Sequence, residues 1–163
     1  MAPDAARTME FPVHIPFVEA LGFELTRIGD GEAELQLALT ETHFNSFKVA
    51  HGGVSMTLLD VAMAHAARSV NRDQEGFGPG VVTIEMKTSF MLPGEGRLRA
   101  VGRLLHRTAT LAFCEASILN EAGELCAHAT GTFKYLRALP GEKRSVKPLQ
   151  RREGTTLGGA GSD

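Results

Sequence analysis

The chain has 163 residues, 43% of them hydrophobic, which is enough for one domain with its own core. Its formal net charge of -2 excludes the broad positive field that draws proteins to nucleic acid or to anionic membranes. The N-terminus lacks the features of a secretory signal, and no run of about 18 apolar residues predicts a membrane span. We therefore expect a cytoplasmic protein that binds neither nucleic acid nor a membrane.

Composition divides the chain into three segments. Residues 1–10 carry no periodic pattern, and residues 139–163 combine Pro, Gly and a basic cluster with few apolar side chains. Both ends are expected to be flexible, the second as a basic, Gly-rich tail. Residues 11–138 carry the periodic patterns and are predicted to form a single domain.

The first predicted elements are a short helix and a hairpin. Apolar residues at 15–21 predict the helix, which Gly22 ends. A strand at residues 23–28 leads into the turn at residues 29–31. A second strand is predicted next, because the apolar residues alternate there with smaller or polar ones. The apolar positions are Ala33, Leu35, Leu37 and Leu39.

Residues 54–70 predict a helix of a different kind. Its apolar side chains cover nearly every direction around the axis, which is typical of a buried helix. At about 1.5 Å per residue it is about 25 Å long. It is therefore expected to be the central element of the domain.

Four strands are predicted after this helix, at residues 81–90, 97–105, 110–119 and 124–135. The joints at residues 93–96, 106–108 and 120–123 are short and turn-like, so successive strands are expected to be antiparallel neighbours. A buried helix against one antiparallel sheet is an α+β fold.

Asp60 lies in the middle of the apolar helix, with no basic residue three or four positions away. An unpaired carboxylate in a dry setting costs several kcal/mol, or its pKa rises and it becomes neutral. One interpretation is a functional carboxylate in a cleft, and the other is a structural carboxylate bonded to a backbone amide.

The sequence His51-Gly52-Gly53 stands where this helix begins. Free N–H groups at a helix start can hold a carbonyl oxygen and the negative charge it gains under attack, although the two glycines could also serve only a tight turn. Seven residues separate Gly53 from Asp60, or about 10 Å along the axis. If both act on one carbonyl, Asp60 must come from a second chain, which predicts a homodimer.

These residues resemble the motif of hotdog-fold acyl-CoA thioesterases of the phenylacetate-degradation (PaaI-like) type, through Asn45, His51-Gly52-Gly53 and Asp60. The order of elements over residues 16–136 is also similar to that fold, a long central helix wrapped by an antiparallel sheet. The resemblance implies hydrolysis of an acyl- or aryl-CoA thioester, with no cofactor besides the coenzyme A of the substrate. It also implies a homodimer that pairs into a homotetramer.

The resemblance further implies a role for each matching residue. Asp60 would attack the thioester carbonyl or activate the water that does so. Gly52, with Gly53 beside it, would supply the oxyanion amide, and Asn45 would orient the carbonyl or the water. His51 would mainly fix the glycine turn, and the Thr83 hydroxyl would position the water unless it is only an exposed strand residue.

Substrate contacts are expected from two sets of side chains. Leu59 and Met63, with Leu58, would form an apolar wall that raises the pKa of Asp60. Lys87 and Arg107 would bind the phosphates of coenzyme A, unless they are solvated surface charges. His65 either borders the acyl pocket or only packs, and the sequence does not select an acyl group.

Other functions are weighed against this one. The six histidines show no His-x-x-x-His spacing, so no metal is expected. A hotdog hydratase or dehydratase would act on the same class of thioester with a different motif. A non-catalytic acyl-CoA sensor would keep the pocket and the dimer but would not need Asp60.

Overall fold

Residues 8–71 and 79–136 are described in a computed structural model of the chain, so the predicted tail at residues 139–163 lies outside the described part. The described elements are α1 (Pro16–Ala20), β1 (Glu24–Gly29), β2 (Glu32–Ala38), a 3-10 turn (Glu41–His43), α2 (Gly52–Ser69), β3 (Val81–Phe90), β4 (Arg97–Arg107), β5 (Leu111–Leu119) and β6 (Leu125–Tyr135). The Met9 N–H donates to the Leu25 carbonyl at 2.7 Å. The chain therefore joins β1 two residues before the predicted start of the domain.

The six strands form one antiparallel sheet in the order β1-β2-β4-β5-β6-β3. Helix α2 packs across one face of this sheet and contacts every strand. One long helix against a six-stranded antiparallel sheet confirms the predicted α+β architecture of the hotdog type. In the described part of the chain, no helix has both the length and the apolar character needed to cross a membrane.

The position of β3 corrects one prediction. The short joint at residues 93–96 was expected to make β3 and β4 neighbours, but β3 pairs with β6 at the sheet edge. The joint runs past the start of α2 instead of turning back, since the Gly94 carbonyl accepts from Ala50 N–H and the Gly96 carbonyl from Leu39 N–H, both at 2.9 Å. These bonds carry the chain across to β2, beside which β4 lies.

The core lies between α2 and the sheet. Leu58, Leu59, Ala62 and Met63 are fully enclosed there, and burying each large side chain stabilises the fold by about 1.5–3 kcal/mol. Two hydrogen bonds fix the far end of α2: the Tyr135 hydroxyl donates to the Ala67 carbonyl at 2.9 Å, and the Gly31 N–H donates to Ser69 Oγ at 2.8 Å. The long helix is thereby held in one position over the sheet.

Gly102 on β4 allows α2 to approach the sheet closely. A Cβ atom at this position would lie 2.4 Å from the Ala62 carbonyl oxygen and 2.9 Å from the Met63 nitrogen. Both atoms belong to the backbone of α2, so the collision could be relieved only by moving the helix. The absence of a side chain at position 102 therefore determines the distance between α2 and the sheet.

We predict that Gly102→Ala lowers the free energy of unfolding by about 2 kcal/mol, because the added methyl forces α2 away from β4. Urea denaturation at a fixed protein concentration measures this change. Gly29→Ala is the control, since its Cβ would meet nothing within 4 Å, and it should change stability by less than about 0.5 kcal/mol. Equal effects of the two substitutions would contradict the role of Gly102.

Candidate active site

Asp60 on α2 and Thr83 on β3 form the centre of the candidate site. The Thr83 hydroxyl donates to Asp60 Oδ1 at 2.6 Å, and Asp60 is half-buried while Thr83 is exposed. Burial raises the pKa of Asp60 above its ordinary value, and the Thr83 hydrogen bond opposes this with a smaller effect. Asp60 is therefore a partly accessible carboxylate whose basicity is increased by burial.

An irregularity in β3 turns Thr83 toward the helix. Thr83 pairs with Phe133 and Glu85 pairs with Thr132, so the register shifts at Ile84. In a regular strand, residues an odd number apart face opposite sides, yet Thr83 and Met86 line the same pocket. The bulge reverses the alternation and so places the Thr83 hydroxyl beside Asp60.

Asp60 and Thr83 open into an apolar pocket of about 490 Å³ between α1, α2 and β3. Helix α1 contributes one wall, and Phe17 at that wall is 63% exposed. The full lining consists of Ile15, Phe17, Val18, Met56, Thr57, Asp60, Val61, Ala64, His65, Thr83 and Met86. Apart from Thr57, Asp60, His65 and Thr83, the lining residues are apolar.

Leu59 and Met63, which were expected to contact the substrate, do not line this pocket. Both are 0% exposed and lie in the core between α2 and the sheet. The Met63 methyl group lies 3.1 Å from where a Cβ on Gly131 of β6 would stand. The apolar surroundings of Asp60 come instead from the other flank of the helix, where Val61 and Ala64 lie.

The start of α2 carries one free backbone donor. His51 Nδ1 accepts from Gly53 N–H at 2.9 Å, which is the contact expected of a residue that fixes the helix start. Among the described residues, no acceptor takes the Gly52 N–H. Of the two glycine N–H groups, that of Gly52 is therefore free to bind a ligand oxygen, whereas that of Gly53 is occupied.

Asn45 also keeps one free group. Its Oδ1 accepts from Phe47 N–H at 2.8 Å and from Val49 N–H at 3.4 Å, which orders the loop before α2. The side-chain NH2 group has no acceptor among the residues the structure describes. Asn45 and Gly52 both line a second cavity of about 310 Å³, which Asp60 does not reach.

The expected catalytic residues thus form two groups within one chain. Asp60 and Thr83 are together in the first pocket, while Asn45 and Gly52 are together in the second. Gly52 and Asp60 are eight residues apart on α2, or about 12 Å along its axis. One chain cannot bring the donors and the carboxylate to the same carbonyl.

The two expected phosphate-binding cations lie away from the pocket. Lys87 is exposed on β3 between Met86 and Thr88, which face the helix, so Lys87 faces the outer side of the sheet. Arg107 ends β4 and donates to Asn71 Oδ1 at 2.6 Å. The structure places neither beside Asp60.

Several pocket residues were not assigned to the substrate from the sequence. Met56 and Ala64 are four residues from Asp60, a helical spacing that signals the same face. His65 lines the pocket and also packs against Phe11. The residues of α1 and Met86 carry no local signal, because only tertiary packing brings them to Asp60. No cluster of three or more potential metal ligands occurs within residues 8–71 and 79–136.

Comparison with known proteins gives a consistent family. A model of the thioesterase superfamily matches residues 47–127. The proofreading thioesterase EntH of Cronobacter turicensis is 33% identical over 111 residues, which cover 67% of this chain and 77% of that protein. The 1,4-dihydroxy-2-naphthoyl-CoA hydrolase of Listeria monocytogenes is 28% identical over 109 residues, covering 66% and 85%.

Solved structures agree with these relatives. A conserved protein of Pseudomonas aeruginosa is 31% identical, with a TM-score of 0.69, and the match covers 77% of this chain and 97% of that one. A variant of the phenylacetic acid degradation protein PaaI of Thermus thermophilus is 26% identical with a TM-score of 0.66, covering 75% and 100%. The chain belongs to the thioesterase superfamily and is a thioester hydrolase of the hotdog fold.

Proposed function

We propose that this enzyme hydrolyses acyl-CoA thioesters, with Asp60 as the catalytic carboxylate. The observation that carries the proposal is the half-buried Asp60, bonded to Thr83 at the edge of an apolar pocket. A desolvated carboxylate is a stronger base than a solvated one. The pocket beside it is wide enough for an acyl group and has few polar groups that would need a partner.

Hydrolysis of the thioester can be written with Asp60, Thr83 and one water molecule. Asp60 Oδ1 accepts from Thr83, which leaves Oδ2 to take a proton from water while the water oxygen attacks the thioester carbonyl carbon. In the alternative route, Oδ2 attacks that carbon itself, and water later hydrolyses the anhydride. In both routes the carbonyl oxygen becomes negative, the carbon–sulfur bond breaks, and the thiolate of coenzyme A leaves and is protonated.

The donors for that oxygen come from the second group of residues. The Gly52 N–H lies at the positive end of the α2 dipole, where developing negative charge is stabilised. The free NH2 group of Asn45 adds a second donor on the same cavity. These two residues would therefore orient and polarise the carbonyl that Asp60 attacks.

A homodimer would complete the site, because the two groups are about 12 Å apart in one chain. Strand β3 favours this assembly, since its ten residues pair with β6 on one side and with no described strand on the other. That open edge carries Val82, Ile84 and Phe90, which are 42%, 55% and 54% exposed. A second copy paired there would cover an apolar edge strand and bring a second α2 alongside. We propose further that two such dimers form a homotetramer in the cytoplasm.

We predict that Asp60→Asn lowers kcat/KM on acyl-CoA substrates by about a hundredfold or more, because Asn keeps the shape but cannot accept the proton. Released thiol is measured with short, long and aromatic acyl-CoAs. The matched control is Glu85→Gln on the outer side of the same bulge, where Glu85 Oε1 accepts from the Thr132 hydroxyl at 2.7 Å. It should retain the wild-type rate.

Each other outcome of this assay has a definite meaning. Equal rates for wild type and Asp60→Asn would contradict the role of Asp60. A wild type that binds acyl-CoA tightly and turns over none of the panel would be a sensor instead of a hydrolase. Hydration of an unsaturated acyl-CoA without thiol release would identify a hydratase.

We also predict complementation between two inactive variants. Asn45→Asp keeps the acceptor for Phe47 and Val49 but loses the NH2 donor, and Asp60→Asn loses the base. Co-refolding equal amounts should give half mixed dimers, each with one intact site, and so about a quarter of wild-type activity. If both residues served the same chain's site, the mixture would stay as inactive as its components.

A further inference from the structure

Ser55 on α2 carries an unpaired hydroxyl group at the second cavity. The residue is 7% exposed and lines this cavity together with Asn45 and Gly52. No described residue forms a hydrogen bond with its side chain. Two unpaired side-chain atoms in the described part of the chain are fully enclosed, His65 Nε2 and Thr88 Oγ1. The Ser55 hydroxyl is not one of them, so it is unpaired and still accessible.

The other two hydroxyl residues of α2 show why that of Ser55 is unusual. The hydroxyls of Thr57 and Ser69 each donate to a carbonyl of the preceding turn at 2.8 Å. The corresponding carbonyl for Ser55 is that of His51, which already accepts two backbone N–H groups at 2.9 and 3.1 Å. A carbonyl oxygen has two lone pairs, and both are used here. The Ser55 hydroxyl is therefore left for a ligand in the cavity.

Ser55 lies close to the free Gly52 N–H. It is three residues beyond Gly52, so the two share one face of the helix and are about 4.5 Å apart along its axis. Side chains in a helix lean toward its N-terminus, which directs the Ser55 hydroxyl toward the helix start. Asn45, with its free NH2 group, lines the same cavity, whereas Leu98 and Ile118 contribute apolar walls. Three donors thus face one mostly apolar space, and a ligand that satisfies them must present an acceptor.

We propose that the Ser55 hydroxyl donates a third hydrogen bond to the thioester carbonyl oxygen, beside the Gly52 N–H and the Asn45 NH2 group. This inference rests on the proposed function, since it adds a catalytic residue to the same reaction. The carbonyl oxygen of the bound thioester has two lone pairs for three donors, whereas the oxyanion formed on attack has three. The bond from Ser55 therefore strengthens as the charge develops and stabilises the transition state more than the bound substrate.

Ser55→Ala tests the proposal through its separate effects on kcat and KM. On the best substrate of the acyl-CoA panel, we expect kcat to fall at least about tenfold while KM changes by less than about twofold. Ser55→Cys is a second variant of similar size whose thiol is only a weak donor, and it should show the same loss. A wild-type kcat in Ser55→Ala, or a loss confined to KM, would overturn the proposal.

Ser69→Ala is the matched control for loss of stability. It removes a hydroxyl from the same helix, but this one is occupied, since Ser69 Oγ donates to the Ala66 carbonyl and accepts from the Gly31 N–H, both at 2.8 Å. Thermal unfolding should show a lower midpoint for Ser69→Ala than for Ser55→Ala, whereas kcat of Ser69→Ala stays at the wild-type value. Equal losses of kcat in the two variants would show that the effect follows stability and would refute the role of Ser55.

Mixed dimers of the Asn45→Asp and Asp60→Asn chains give a readout that a general structural role of Ser55 would not produce. The one intact site of such a dimer takes Asn45, Gly52 and Ser55 from the Asp60→Asn chain. Adding Ser55→Ala to that chain should lower the activity of the mixture about tenfold or more. Adding it to the Asn45→Asp chain should leave the activity unchanged. Equal losses from both placements would contradict the proposal.

Binding of a ketone distinguishes failure of this inference from failure of the proposed function. The probe is a benzoyl-CoA analogue with CH2 in place of the thioester sulfur, which cannot be hydrolysed, and its carbonyl carbon is labelled with 13C. Hydrogen bonding polarises the carbonyl and moves its 13C resonance downfield, so the bound resonance should lie further upfield in Ser55→Ala than in wild type. That difference without turnover of any thioester would support the contact and refute hydrolysis. Turnover by the wild type with identical 13C resonances would support hydrolysis and refute the contact.

Discussion

The contact between Asp60 and Thr83 is the interaction on which the site depends. This hydrogen bond of 2.6 Å joins the middle of α2 to the edge strand β3. Two features of the fold bring its donor and acceptor together. The close approach of α2 to the sheet at Gly102 fixes the depth of the helix. The register shift at Ile84 turns Thr83 toward α2. The hydrogen bond to Asp60 therefore depends on this irregularity in the backbone of β3.

The length of α2 separates the two groups of candidate site residues. Gly52 begins the helix and Asp60 lies two turns further on, so they open into separate cavities. A two-fold axis beside the open edge of β3 would set one helix antiparallel to another and pair the start of each with the middle of its partner. The same geometry would cover the exposed apolar side chains of that edge.

Much of this structure could be predicted from residue patterns. The central helix and the strands were predictable because burial determines where apolar residues occur. A helix buried on both sides is apolar all round, and a strand buried on one side alternates between apolar and polar residues. Asp60 stood out for the same reason, as a charge within an apolar run. The neighbour of β3 was not predictable from a short joint, since loop length limits pairing but does not exclude a crossing past α2.

The residues that line the pocket were harder to predict from the sequence. At about 100° per residue, Leu59 and Val61 flank Asp60 on opposite sides of the helix. Both are apolar, so no pattern tells which flank faces the sheet and which the pocket, and only packing placed Leu59 in the core and Val61 beside the ligand space. The bulge in β3 likewise arises from tertiary contacts.

The central claim is that the fold keeps a partly desolvated Asp60 carboxyl group in the pocket for catalysis at the expense of stability. The pKa of Asp60 is raised in the folded protein, so its stabilising effect is complete below the unfolded value near 3.8 and is lost as pH rises through the folded value. The decisive measurement is the free energy of unfolding of wild type and Asp60→Asn from pH 3 to pH 8, at one protein concentration. The account predicts that Asp60→Asn is the more stable protein at neutral pH and that the difference vanishes toward pH 3. A variant that is equally or less stable at neutral pH would show that Asp60 is an ordinary structural residue.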